Sequence, residues 1–166
     1  MGISIICFAL TACALEKVSE LEPRRNEWQP FSAKESDGNW RTKYAGKALK
    51  IVDDFNGDGR MDEALLLIST NNSSLGLFAV FSNGTEKQFL VEKFANIKIP
   101  EAGIVVAPPG EYLTTCAKAY TKCAPGEKRS IILLTSGIEI FEFESAHILF
   151  YWDKNTGAFI KEWLSD

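Results

Sequence analysis

The chain of 166 residues is 46% hydrophobic and 24% charged, enough apolar material for the core of one domain of ordinary size. Its net charge of −4 and pI near 5.2, with no basic run beyond Arg24-Arg25 and Lys128-Arg129, leave no electrostatic footprint for a polyanion. Nucleic acid is therefore not an expected partner.

The chain opens on "MGISIICFALTACAL", which carries no charge, and passes at once into the polar run "EKVSELEPRRNEWQP". A bilayer span needs about 20 apolar residues. This shorter stretch reads as the hydrophobic region of a secretory signal over 1–12. The segment Leu10-Thr11-Ala12-Cys13 resembles the lipobox of bacterial lipoproteins. The resemblance implies that Cys13 is lipidated as the mature N-terminus. Ala14, where an Asp would signal inner-membrane retention, implies the periplasmic side of the outer membrane. The alternative is a buried N-terminal strand or helix with two ordinary cysteines. A myristoylation start wants Ser or Thr at position six, where Ile6 stands.

Residues 13–45 show no sustained period and read as the lipidated cysteine and a tether leading into a β-rich domain over 46–166. Trp28, Phe31, Trp40 and Tyr44 are expected to pack at the domain's edge, with one helical turn near Trp40 to Lys47.

Beyond Lys47, short apolar runs alternate with turn signals, which predicts strands at Leu49–Asp53, Ala64–Thr70, Leu75–Ser82, Gln88–Phe94 and Gly103–Ala107. Further strands are expected at Tyr112–Thr115, Ser130–Thr135, Ile138–Phe143, His147–Asp153 and Ala158–Leu164. Between them "SNGTE", "PPG", "APGEK", "TSG" and "DKNTG" supply turn residues. The expected fold is mainly β: a single antiparallel β-meander, as a sheet, sandwich or open barrel, with little helix. "ALLLIS" predicts a central strand covered on both faces, and "FEFES" a half-exposed one.

The stretch with the most specific chemistry is "DFNGDGRMDEA". Calcium takes six to eight oxygens, so a sequence-local site needs carboxylates and amides at alternate positions and a glycine where the chain turns round the ion. From Asp54 as position one, Asn56 and Asp58 fall at three and five, Gly59 at six, the Arg60 carbonyl at seven and Asp62 at nine. An EF-hand would require Glu at position twelve, where Leu65 stands, and flanking helices. The pattern instead resembles the strand-loop-strand calcium loops of FG-GAP and VCBS repeats and of integrin α-chain propellers, over about eleven residues. That likeness implies a structural calcium ion held by Asp54, Asn56, Asp58, the Arg60 carbonyl and Asp62. Arg60 neutralises one charge, which points to an affinity of roughly 10⁻⁴ to 10⁻³ M, as in extracellular modules. The alternative is a hairpin turn with a polar surface.

Cys116 and Cys123 in "CAKAYTKC", with no histidine nearby, read as a disulfide closing a short loop in an oxidising compartment, or as two reduced buried thiols. The one histidine, His147, lacks the partner motifs of a nucleophilic site. Glu142 and Glu144 stand two apart on one strand, roughly 6.5–7 Å between Cα atoms, a carboxylate pairing that a half-buried strand also produces.

The plan of lipobox, tether, β domain and paired cysteines is similar to that of periplasmic inhibitors and immunity lipoproteins. It implies a non-enzymatic envelope protein, lipid-anchored to the outer membrane, that binds and inhibits a toxin or hydrolase. A surface adhesion or cell-wall-binding module is the second reading, and an envelope hydrolase using Glu142 or Glu144 the third.

Overall fold

A computed structural model describes residues 27–31, 48–71, 74–82, 87–95, 101–118, 123–142 and 145–165. The signal segment, Cys13, the helical turn expected near Trp40 and Glu144 lie outside the described residues. The described residues are mainly β and pair only antiparallel, without a closed barrel among them.

The first sheet is built on β3 (Asp62–Ser69). Along one side of β3 run β2 (Lys50–Asp53), opposite Asp62 to Leu65, and β1 (Trp28–Gln29), opposite Ile68 and Ser69. On the other side follow β4 (Leu75–Phe81) and β5 (Lys87–Phe94). The second sheet runs in the order β11 (Ala158–Ser165), β10 (His147–Asp153), β9 (Gly137–Glu142), β6 (Ala102–Ala107). A separate hairpin pairs β7 (Gly110–Leu113) with β8 (Ser130–Leu133), and one short helix, α1 (Thr115–Lys118), leads out of β7.

All ten expected strands are present, with ends shifted by at most two residues, and Trp28–Gln29 adds a strand from within the stretch read as a tether. The meander holds from β2 to β5 and from β9 to β11. Between those runs β6 skips the β7–β8 hairpin to pair with β9.

Period-two alternation decides what each strand buries. In β3 the buried Ala64, Leu66 and Ile68 alternate with the half-buried Glu63, Leu65 and Leu67, so this strand is central in pairing but covered fully on one face only. The strand buried on both faces is its neighbour β4. There Leu75, Leu77, Ala79 and Phe81 join the core, while Phe78 on the opposite face lies edge-on against Trp28, ring centroids 5.2 Å apart. Gly76 makes that contact feasible, because a Cβ there would stand 2.7 Å from the Trp28 ring. The sequence of "ALLLIS" cannot show this difference, since the cover comes from a tryptophan more than thirty residues upstream.

The two large sheets pack face to face. Their shared core takes Leu66, Leu77 and Phe94 from the first and Ile104, Ile140 and Phe150 from the second. Along one side the sheets are stitched by backbone: residues just before β2 accept from Leu66 N–H (to Leu49 O, 2.9 Å) and from Ile104 N–H (to Ala48 O, 2.8 Å). The opposite side, between the terminal strands β5 and β11, is bridged by the Lys161–Glu92 ion pair at 3.3 Å. The β7–β8 hairpin caps the outer face of the second sheet, where Ile131 and Leu133 pack on Ala107, Leu149 and Leu164.

Candidate metal loop and neighbouring surfaces

The loop from Asp54 to Met61 joins β2 to β3 and is tied by its own acidic side chains. Asp54 Oδ1 accepts from Gly57 N–H (2.7 Å) and Asp58 N–H (3.1 Å), and Oδ2 accepts from Gly59 N–H (2.8 Å). Asn56 Oδ1 also accepts from Asp58 N–H at 2.8 Å, and Asp58 Oδ1 accepts from Arg60 N–H at 2.9 Å. The Arg60 guanidinium reaches Ser82 O at 3.3 Å.

Asp62 does a different job. It is fully buried, and its Oδ2 accepts from Phe55 N–H (3.2 Å) and Asn56 N–H (3.3 Å) while Oδ1 accepts from Ser82 N–H (3.0 Å). One carboxylate thus satisfies three backbone donors from the loop and from the end of β4. Burial pushes its pKa above the usual carboxylate value, an effect that the three N–H groups oppose and the nearby Asp58 charge reinforces.

The second sheet also holds the loop. Lys154 Nζ, in the β10–β11 turn, donates to Gly57 O at 2.9 Å. Gly57 has φ of 71°, and a Cβ there would stand 2.6 Å from Thr135 Cγ2. Gly59 has φ of 83° with open space around it. Gly59→Ala is therefore expected to cost about 1 kcal/mol of backbone strain. Gly57→Ala, which adds the collision, should cost about 2–4 kcal/mol. Urea unfolding of the two variants gives both numbers.

The donor set fits a hard cation in type and order: hard oxygens at Asp54, Asn56, Asp58 and Asp62, with the Arg60 carbonyl between the last two. An ionised carboxylate has about four lone-pair sites, so the N–H bonds leave acceptor capacity on each aspartate. Among the described residues the one trio of acid, histidine or cysteine side chains whose ligand atoms gather within 4.8 Å is Cys116, Cys123 and Glu127, and its sulfurs are joined to each other. To enclose an ion, the loop's three aspartates would have to draw closer together than they stand here.

Comparison with protein-family models, with curated proteins and with solved structures gives no match for this chain. Its chemistry is read from its own residues.

Cys116 and Cys123 form a disulfide, Cα atoms 5.1 Å apart, across the segment that joins β7 to β8. At the same end Thr114 N–H donates to Arg129 O (3.1 Å) and Thr114 Oγ1 to Lys128 O (2.6 Å), and Lys118 Nζ reaches Leu164 O (2.8 Å) in the second sheet. The hairpin is thus anchored at its base as well as through its inner face. Its outer face is a different matter: Leu113 is 52% exposed, Ile132 71% and Leu134, just past β8, 88%. Spacing alone does not flag this surface, because "SIILL" reads as an ordinary buried strand.

His147 pairs through Nδ1 with Glu139 and stacks on Phe141, ring centroids 6.1 Å apart. Burial and the Glu139 charge raise the pKa of Tyr112 on the neighbouring hairpin. Glu142 is half-buried at the end of β9, on the rim of a cleft between the sheets. The Asp153 carboxyl is held below its ordinary pKa by Asn155 N–H and the Thr156 hydroxyl, which makes it a turn-forming residue at the start of "DKNTG".

Proposed function

We propose that this chain is a non-enzymatic protein of the cell envelope, anchored through lipid on Cys13 to the periplasmic side of the outer membrane. There it binds and inhibits another protein, a toxin or hydrolase. The observation that carries this reading is the β7–β8 hairpin. Its inner face and base are locked to the second sheet, while Leu113, Ile132 and Leu134 point outward. Apolar side chains held rigidly in solvent are what a binding surface presents, since little ordering remains to be done when a partner covers them. The disulfide at the hairpin's base supports an oxidising compartment, where such bonds persist.

In the same reading the loop from Asp54 to Asp62 holds a structural calcium ion. Its place supports that role: Asp62 ties the loop to the end of β4, and Lys154 ties it to the β10–β11 turn, so an ion there would stiffen a junction of both sheets. Calcium at ten to a hundred times its dissociation constant should stabilise the fold by about 1.5–2.5 kcal/mol. That raises Tm by about 3–8 °C. Calorimetry with calcium and with chelator measures the shift, which Asp58→Ala should abolish.

The functional test is affinity capture of envelope and secreted proteins on the chain, in calcium and in chelator, followed by assay of the retained protein. The reading expects one dominant protein whose activity falls as the chain is added. Retention of cell-wall material without a protein would favour the wall-binding module, and turnover lost in Glu142→Gln would favour the hydrolase.

A further inference from the structure

The side of the sandwich opposite the backbone stitch holds a cleft of about 340 Å³ between β5 and the ends of β9, β10 and β11. That volume is in the range of ligand pockets, about 300–1,000 Å³. Its floor is apolar, with Phe94, Ile140 and Ile148 all buried. Trp163, 44% exposed, forms a wall.

The chain's own lysine already occupies the aromatic part of this cleft. Lys161 Nζ lies 5.7 Å from the ring centroid of Phe94 and 5.5 Å from that of Trp163, and 3.3 Å from Glu92 Oε2. Two ring faces and a carboxylate around an ammonium are the elements of a cation site. Glu142, on the same rim, has no partner for its carboxylate among the described residues. Lys93 also borders the cleft, but its ammonium lies over Trp28, which covers the first sheet's outer face at Phe78. Three charges therefore face the opening, Glu92, Glu142 and Lys161, and one negative charge is unbalanced.

We propose that this cleft is an anchor site for a long basic side chain, an arginine or lysine projected by a partner protein. Its methylene stem lies on Phe94, Ile140 and Ile148 and its charged head meets Glu142, with Lys161 moving aside from Trp163 as it enters. That a protein presents this side chain rests on the binding role proposed above; that the cleft takes an organic cation does not.

The test uses the full chain, isotopically labelled, with the indole N–H of Trp163 as the reporter. N-acetyl-arginine amide is the probe and N-acetyl-norleucine amide, with an uncharged side chain, the control. The arginine probe should shift the Trp163 resonance saturably, and the norleucine probe should leave it in place. Glu142→Gln should weaken arginine binding about two- to fivefold, the range for a partly exposed ion pair. Lys161→Met removes the resident cation and should tighten binding by a similar factor. Because Lys161→Met is a gain of binding, loss of fold cannot mimic it. Equal response to both probes, no response to either, or unchanged affinity in both variants would overturn the proposal. Since no partner is needed, failure here leaves the hairpin reading standing, and failure of protein capture leaves the cleft standing.

Discussion

Asp62→Ala is expected to destabilise the metal-free protein by about 2–4 kcal/mol, because it strands two buried N–H donors and a third that is part-buried. The donors are Phe55, Asn56 and Ser82, and their acceptor lies in a residue with no exposed surface. Asp62→Asn keeps one acceptor oxygen and should cost about half as much. The pair of variants separates two roles of this carboxylate by pH. Burial, the largest influence, holds the folded-state pKa above the ordinary value of 3.8. The folded metal-free chain therefore binds the Asp62 proton more tightly than the unfolded chain does. The resulting stability is fully present below the unfolded pKa and is lost as pH rises through the folded pKa. Denaturant titrations across the acid range should show this component in the wild type and lose it in Asp62→Asn. Calcium should remove it too, since a cation beside the carboxylate favours the ionised form.

Phe55→Ala should cost about 3–5 kcal/mol, the range for emptying a buried aromatic site. Phe55 is the second residue of the acidic loop, yet it has no exposed surface and belongs to the core shared by both sheets. Its ring fixes where the loop leaves β2, and its N–H fixes where Asp62 points. Deleting the ring should therefore weaken calcium binding along with the fold, although Phe55 offers no side-chain oxygen. Against a total stability of about 5–15 kcal/mol, either substitution is a large fraction. Chemical denaturation with and without calcium measures both effects.

Much of this architecture can be read from the sequence because turns announce themselves. Asn, Asp, Gly or Pro stands at every junction from β2 onward except that between β9 and β10, and the alternation of Ile138 and Ile140 with Glu139 and Phe141 assigns the faces of β9 directly. β1 escapes such reading because two residues in a polar stretch show no period; only its partner, the edge of β3, makes it a strand. The skip from β6 to β9 escapes too. The hairpin between them carries its own apolar face, and nothing local says that Ile131 and Leu133 cover the outside of the second sheet and do not extend it.

The acidic loop divides the same way. Asp54, Asn56 and Asp58 announce a self-tied turn by their spacing, since each can accept N–H groups a few residues ahead. The long-range half of the site comes from Ser82, Thr135 and Lys154, brought in by strand pairing and sheet packing. The spacing also does not reveal that Asp62 is the buried knot between the loop and β4, whether or not it closes an ion cage.

The measurement that bears most directly on a binding role is the affinity of the captured protein for Ile132→Asp/Leu134→Asp beside the wild type, with thermal stability followed in parallel. Both side chains are mostly in solvent, so the double variant should melt with the wild type to within about 1 kcal/mol. The account predicts that binding falls at least about tenfold, since each 1.4 kcal/mol of lost interaction is a decade of affinity. An unchanged affinity in a variant that melts like the wild type would contradict it.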